Sequence, residues 1–244
     1  MADIRIAIIN QCTVLSDDEI AAAVPALQTQ VHRDFAPVWG IDADLVYVGT
    51  AQPAPGCWWL VIMDNSDQQG ALGYHDLTDE GLPIGKIFAE TDKQYKLNWT
   101  ITASHEMLEM LGDPDINLAV FLQPDNSTGT LYSYEVCDAC EDDQFGYKIG
   151  ETYVSDFVFP AWFEASRPAE SAQFDYAKQL HAPVPTLLSG GYIGAFDVTA
   201  GTGWHQIAAE ERSGRAFHRP RAGGRHDRRR TPRNQWRRSE PTFR

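Results

Sequence analysis

The chain has 244 residues, of which 43% are hydrophobic and 11% aromatic, a composition sufficient for a real core. No stretch approaches the ~20 consecutive apolar residues that a membrane-spanning helix needs, so we predict no membrane partner. The length suits one domain, or one domain with an appendage. The net charge of −14 at pH 7 favours cations over nucleic acid as partners of most of the chain.

The charge is divided between an acidic body and a basic tail. Residues 212–244 contain twelve arginines against only Asp227 and Glu240, a balance of +10. Residues 1–211 carry the remainder of the total of −14, which is −24. We predict a folded domain over 1–211 and a disordered, Arg-rich tail over 212–244 that could bind nucleic acid or an acidic partner.

The sequence opens with a strand rather than a targeting signal. MADIRIAIIN lacks the basic start and the small-residue cleavage site of a secretory signal, so we expect a cytoplasmic protein. Its β-branched run at residues 4–9 predicts a strand. Ser16 and Glu19 then form a capping box, and apolar residues at helical spacing predict a helix over 17–38. Pro25 is expected to kink or split that helix.

The middle of the chain predicts several strands and a second long helix. The run at 57–63 is apolar throughout, as in a strand covered on both faces. The second helix is predicted over 99–111, with Asn98 as its N-cap. The other strands are predicted at residues 44–48, 71–77, 83–89, 119–123, 130–136, 145–154 and 190–198, and a short helix at 169–179. We expect an α+β domain with a mixed, largely antiparallel sheet.

The helix over 99–111 carries the candidate site. His105 and Glu109 are four residues apart and therefore share one face of the helix. An imidazole and a carboxylate on one face can hold a divalent metal, and the adjacent Glu106 can take a proton from water on that metal. This H-E-x-x-E pattern is the H-E-x-x-H metalloprotease motif with Glu in place of the second His. Gly112 and Pro114 are expected to end the helix.

Two ligands on one helix require a third from elsewhere, and two alternatives are open. The first is Asp115, because H-E-x-x-E-x-x-G-x-x-D resembles the metzincin spacing. The second is the acidic segment 134–143, in which Glu135 is the expected third ligand and Asp138 a fourth ligand or a supporting partner. His75, on the strand predicted at 71–77, could approach the site, but we interpret it as a structural histidine.

The cysteines give a weaker indication of function than the H-E-x-x-E pattern does. Cys137 and Cys140 form a single C-x-x-C, whereas a four-sulfur zinc site needs a second pair. The absence of a secretory signal does not favour disulfides. The acidic surroundings are unlike the helix start that a redox pair uses, so neither role is expected.

Several motifs resemble known families. S-H-E-x-x-E-x-x-x-D-P, followed by E-V-C-D and V-S-D-F-V-x-P-A-W-F, resembles a family of poorly characterised bacterial and phage-associated proteins over about residues 70–165. H-E-x-x-E with E-I-x-D-x-C also occurs in the plant EXORDIUM family, and that likeness covers the two motifs alone. The order of a helix, several strands and a signature helix resembles the zincin metalloprotease core. These resemblances imply one constellation, formed by His105, Glu106, Glu109, Glu135 and Asp138.

The sequence therefore predicts a zincin-like, metal-dependent hydrolase, specifically a peptidase with a peptide or protein substrate. Glu106 would activate water, and the strand at 83–89 would pair with an extended peptide. Two carboxylates and one imidazole lower the Lewis acidity of the metal and shift the preference from zinc towards harder ions such as Mn²⁺, Ca²⁺ or Fe²⁺. Zn²⁺ nevertheless remains the first expectation, with these ions as alternatives. The rival prediction is a non-catalytic, metal-stabilised phage or mobile-element protein, associated with a virion or its assembly.

Overall fold

The computed structural model describes residues 2–67, 71–123, 125, 127–201 and 203–209. The predicted tail at 212–244 lies outside the described residues. Within them the chain is a mixture of helices and three β-sheets, which confirms the α+β class. None of the described helices is both long enough and apolar enough to cross a membrane.

The largest sheet has five strands in the order β2-β1-β3-β5-β4. They are β1 (Ile4–Gln11), β2 (Ala43–Gly49), β3 (Trp58–Met63), β4 (Gly73–Leu77) and β5 (Pro83–Phe88). All neighbours pair in parallel except β4, which runs antiparallel to β5. The prediction of a mixed sheet is confirmed. The prediction that the sheet is largely antiparallel is wrong for this five-stranded sheet. The continuous apolar character of β3 is typical of a parallel strand covered on both faces.

The first helical region begins with the predicted capping box. The side chain of Ser16 accepts from the Glu19 N–H, and the Ser16 N–H donates to Glu19 at 2.8 Å. Helix α1 (Asp17–Thr29) continues through Pro25 for four more residues instead of ending there. A π-helical segment (Gln30–Phe35) and helix α2 (Ala36–Trp39) follow directly.

Two further helices follow β5. They are α3 (Ala89–Tyr95) and α4 (Trp99–Gly112), and α4 carries the H-E-x-x-E residues. α4 ends at Gly112 as predicted, but Asn98 does not cap it with its side chain, which donates instead to Asp143 at 2.7 Å. Asp113 is fully buried and accepts from two backbone N–H groups in the turn after the helix.

Helices α1 and α4 belong to the same apolar core. Leu27 of α1 and Met107 of α4 are both fully buried in one cluster with Ile8, Leu60 and Ile87 of the sheet. α4 therefore packs against the five-stranded sheet. Its contacts with β4 and β5 fix the position of the helix and of the H-E-x-x-E side chains that it carries. Burying side chains of this size stabilises the fold by about 1.5–3 kcal/mol each.

The second half of the described chain forms two smaller antiparallel sheets. One has the order β11-β10-β7-β6 and the other pairs β8 with β9. The strands are β6 (Ala119–Leu122), β7 (Thr130–Ser133), β8 (Tyr147–Ile149), β9 (Thr152–Val154), β10 (Tyr192–Asp197) and β11 (Trp204–Ala208). β7 ends three residues earlier than predicted, so the acidic segment lies beyond the strand.

The helix predicted over 169–179 does not form. That stretch consists of turns and bends with one isolated bridge between Val158 and Asp175. The Asp175 carboxylate accepts from the backbone N–H groups of Gln179 and Leu180. A buried carboxylate that satisfies backbone donors offers the chain an alternative to helical hydrogen bonds.

A buried pair of carboxyl groups holds this stretch to the core. Asp156 and Asp175 are 1% and 0% exposed. Asp156 accepts from the N–H groups of Phe157 at 2.8 Å and Ala177 at 3.0 Å. Burial, with the adjacent Asp175, raises the pKa of Asp156 well above its usual range.

Asp156→Asn is expected to make the free energy of unfolding less dependent on pH. A carboxyl with a raised pKa in the folded state binds a proton that the unfolded chain has released. Its stabilising contribution is therefore complete below the unfolded pKa of about 3.9 and is lost as pH rises through the folded pKa. Asparagine supplies the donor at every pH, so urea unfolding should show wild type falling relative to the variant between pH 4.5 and 8.

The exposed change Asp79→Asn is the matched control for this experiment. It should leave the pH dependence of wild type in place. A constant difference between wild type and Asp156→Asn across the same pH range would show that the pKa of Asp156 is not raised in the folded state.

Candidate metal centre

Three elements contribute side chains to one buried cluster. Helix α4 supplies three of them, the edge strand β4 supplies one, and the segment after β7 supplies two. The six residues are His105, Glu106 and Glu109 of α4, His75 of β4, and Glu135 and Asp138 of the later segment. All five residues that the sequence predicted to form one constellation therefore lie in this cluster. The sixth, His75, was interpreted as a structural histidine.

The contact between α4 and the acidic segment is direct. His105 Nε2 lies 3.1 Å from Glu109 Oε1, one turn along the helix, and 3.3 Å from Asp138 Oδ1. These side chains are 2%, 5% and 8% exposed. Asp138 begins a short 3₁₀ turn (Asp138–Cys140) that directs its carboxylate towards the helix.

His75 is the member that the sequence did not identify. Its Nδ1 lies 3.5 Å from Glu109 Oε2 and 3.6 Å from Glu106 Oε2, and its Nε2 lies 3.7 Å from Glu135 Oε2. The interpretation of His75 as only structural is not supported by this position. A signal existed in the sequence, because a histidine interrupts a strand just before the site helix, but the face of the strand could not be read from the pattern.

A glycine in β4 allows α4 to approach the sheet closely. A Cβ on Gly73 would lie 2.8 Å from Glu106 Cγ and 2.9 Å from Thr102 Cγ2. A Cβ on Gly85, which pairs with His75 across the strands, would instead lie 2.9 Å from Leu60 Cδ1 of β3. The helix carrying the site could not lie this near β4 if position 73 held a larger residue.

Gly73→Ala is expected to lower the free energy of unfolding by about 1–3 kcal/mol, because overpacking of a dense interior forces neighbouring side chains to move. The side chains that must move are those of Glu106 and Thr102, so Glu106 should also leave its position beside His75. Gly85→Ala is the matched comparison, since its new methyl group meets the flexible end of Leu60. Urea unfolding of both variants tests this, and a Gly73→Ala protein as stable as wild type would contradict it.

The cluster concentrates negative charge in a place with little water. Burial alone would lower the pKa of His75, but its hydrogen bond with Glu106 and the charges of Glu135 and Glu109 raise it to about 9. Burial, with the charge of Asp138 adding to it, raises the pKa of Glu109 to about 8. Both shifts show that these side chains bind protons strongly, and a divalent cation would satisfy the same negative charge.

Two overlapping sets of residues could hold a metal ion. In each set the ligand atoms all lie within 4.8 Å of one another. The sets are His105, Glu109 and Cys137, and His75, Glu109 and Glu135. Imidazole nitrogen and carboxylate oxygen are donors that suit Zn²⁺, Mn²⁺ and Fe²⁺, so the residues fit a divalent cation.

The alternative third ligand, Asp115, lies elsewhere. It is exposed in the turn beyond α4, and it belongs to neither set of possible ligands found among the described residues. Cys137 was not expected to take part, yet it is fully buried in one set, and its N–H donates to Glu109 at 3.4 Å. Burial raises the pKa of its thiol well above the usual range.

Searches of protein-family models, of curated proteins and of solved structures found no match to this chain. The resemblance to bacterial, phage-associated and plant families therefore stays a prediction from the motifs. The functional argument that follows depends on the geometry of the cluster.

Proposed function

We propose that this chain is a metal-dependent hydrolase that cleaves peptide bonds. The observation that carries the proposal is a buried set of donor atoms from His105, Glu109 and Cys137 that all lie within 4.8 Å of one another, with Asp138 Oδ1 3.3 Å from His105 Nε2. Such a set can hold one divalent cation, with Zn²⁺ the first candidate and Mn²⁺, Fe²⁺ or Ca²⁺ the alternatives. When bound, such an ion polarises a carbonyl group and makes water more acidic.

Glu106 is the proposed general base. Its side chain is 2% exposed, and its Oε2 lies 3.6 Å from His75 Nδ1 at the margin of the ligand cluster. The imidazole orients this carboxylate, and Gly73 leaves the space that it occupies. In this position Glu106 can accept a proton from the attacking water and return it to the leaving amine.

The proposed substrate is an extended peptide that pairs with the edge of the five-stranded sheet. The predicted peptide-binding strand at 83–89 is wrong, because β5 lies between β3 and β4 and has both edges occupied. Among the described strands, β4 pairs with β5 alone, and a peptide added to its other edge would pass His75. Every residue of β4 is buried, so this mode of binding requires the edge to open.

The order of elements supports a zincin-like core as the finer assignment of fold. α1 precedes β2, the remaining strands of the sheet follow, and α4 with the H-E-x-x-E residues comes after them and the short helix α3. α1 and α4 also share one core against the sheet. This is the order on which the sequence resemblance depends.

The test is hydrolysis of a fluorogenic peptide library and of casein by the full chain. Cleavage is expected with Zn²⁺ or Mn²⁺ present, lost on chelation and restored when the ion is returned. If the protein binds metal and cleaves none of these substrates, peptide hydrolysis is not its function.

A metal-stabilised, non-catalytic protein is the second candidate, and one observation favours it. The centre joins three parts of the chain that are far apart in sequence, β4, α4 and residues 135–138, and its side chains are nearly all buried. A cation there would stabilise the fold whether or not chemistry occurs. A protein of this kind could belong to a virion or its assembly.

The proposed role of the Arg-rich tail is separate from the metal centre. Binding of nucleic acid through residues 212–244 should weaken steeply with salt, because arginines release counterions from phosphates. Electrophoretic shift assays at two salt concentrations, with and without the tail, would measure this contribution.

A further inference from the structure

The two oxygens of Glu109 face different imidazoles. Oε1 lies 3.1 Å from His105 Nε2, and Oε2 lies 3.5 Å from His75 Nδ1. Each imidazole also lies near a second carboxylate. Asp138 Oδ1 is 3.3 Å from the same Nε2 of His105, and Glu135 Oε2 is 3.7 Å from the other ring nitrogen, Nε2, of His75. The cluster is therefore arranged as two halves that share one carboxylate.

One cation cannot serve both halves in this arrangement. Metal–ligand bonds of about 2.0–2.2 Å mean that two atoms on the same ion are at most about 4.4 Å apart. Within the described residues, neither of the sets with ligand atoms inside 4.8 Å contains both His75 and His105. An ion bound by one imidazole therefore leaves the other half of the cluster without an ion.

We propose that the centre holds two divalent cations bridged by Glu109. His105 and Cys137 complete the first position, and Asp138 Oδ1 lies beside it, 3.3 Å from His105 Nε2. His75 and Glu135 complete the second position. The proposal rests on the proposed function in one respect, namely that the first position is the hydrolytic ion of that proposal.

The charge of the cluster agrees with two ions. Its four carboxylates belong to Glu106, Glu109, Glu135 and Asp138, and their side chains are 2% to 12% exposed. Two divalent cations, with the imidazoles neutral as metal ligands, balance these four charges. With a single divalent cation, the remaining charge would have to be balanced by protons on the half of the cluster that holds no ion, because unpaired buried charge is strongly unfavourable.

A carboxylate bridge also gives the second ion a chemical role. Two ions held in this way lie about 3.5–4 Å apart, the spacing at which a pair can stabilise both the attacking and the leaving atoms of a displacement. The shared carboxylate makes the two positions interdependent, so a change of Glu109 should weaken both.

The first measurement is metal stoichiometry of the full chain after dialysis against Zn²⁺. Two equivalents per chain are expected in wild type, and one in each of His75→Ala and His105→Ala. His205→Ala, which alters an exposed residue of β11, is the matched control and should keep two. One equivalent in wild type, lost entirely in both variants, would overturn the two-ion centre.

The second measurement needs no substitution and so does not depend on how variants fold. Wild type loaded with Mn²⁺ should give the spin-coupled electron paramagnetic resonance spectrum of a bridged pair. The six-line spectrum of an isolated ion at full loading would overturn the proposal.

The two measurements also separate failure of the two-ion centre from failure of the proposed function. One bound ion with metal-dependent peptide cleavage would refute the two-ion centre and support the hydrolase proposal. Two bound ions without cleavage would support the two-ion centre and refute the hydrolase proposal.

Discussion

Glu106→Gln is expected to lower kcat/KM for peptide hydrolysis by about 10²- to 10⁴-fold, the usual contribution of a positioned general acid or base. Glutamine has the same shape as glutamate and fits beside Gly73 and His75, but it cannot accept the proton from water. Metal content and the unfolding temperature should therefore remain close to those of wild type. Steady-state kinetics on a cleaved peptide, with elemental analysis of the same preparation, measures both effects.

The matched control is Glu151→Gln, at a side chain that is 99% exposed in the turn between β8 and β9. It should change neither activity nor metal content. If Glu106→Gln cleaves as fast as wild type, Glu106 is not the base. If Glu106→Gln loses metal and stability along with activity, the loss is explained by a structural role of Glu106 and not by a role as general base.

Removing the metal is expected to lower the unfolding temperature by about 8–16 °C. A ligand present at a thousand times its Kd stabilises the folded state by about 4 kcal/mol, and a domain of this size shifts by about 2–4 °C per kcal/mol. The effect is large because the cation would join β4, α4 and residues 135–138. Thermal unfolding with saturating Zn²⁺ and with a chelator measures it.

Glu109→Gln should abolish this difference, because Glu109 belongs to both sets of possible ligands. The difference should also shrink at low pH, since protons compete with the metal for imidazole and carboxylate groups. An equal shift in wild type and in Glu109→Gln would mean that the stabilising ion binds elsewhere.

Local patterns predicted most elements of the fold. The apolar run of β3 and the capping box of α1 are features of neighbouring residues, and both appear where the sequence indicates. The directions of the strands in the largest sheet were predicted wrongly, because pairing depends on connections across the whole sheet. The helix expected at 169–179 failed for a similar reason, since the buried Asp175 takes its hydrogen bonds from the backbone there.

The candidate site was predicted in part. Helical spacing alone placed His105 and Glu109 together, and motif resemblance added the acidic segment. The sequence could not show that Glu135 lies against His75 while Asp138 lies against His105, because this depends on how the segment leaves β7. It also could not show that Gly73 allows β4 and its histidine to lie close to α4.

The central claim is that α4 and the acidic segment hold a cation together. Elemental analysis of the purified full chain after dialysis against Zn²⁺ tests it most directly, with wild type beside His105→Ala, Asp138→Ala and the exposed control His205→Ala. Joint binding predicts that each of the first two variants loses at least one equivalent of metal, whereas the control loses none. Metal content that is unchanged in His105→Ala and Asp138→Ala would contradict a cation held between these two elements.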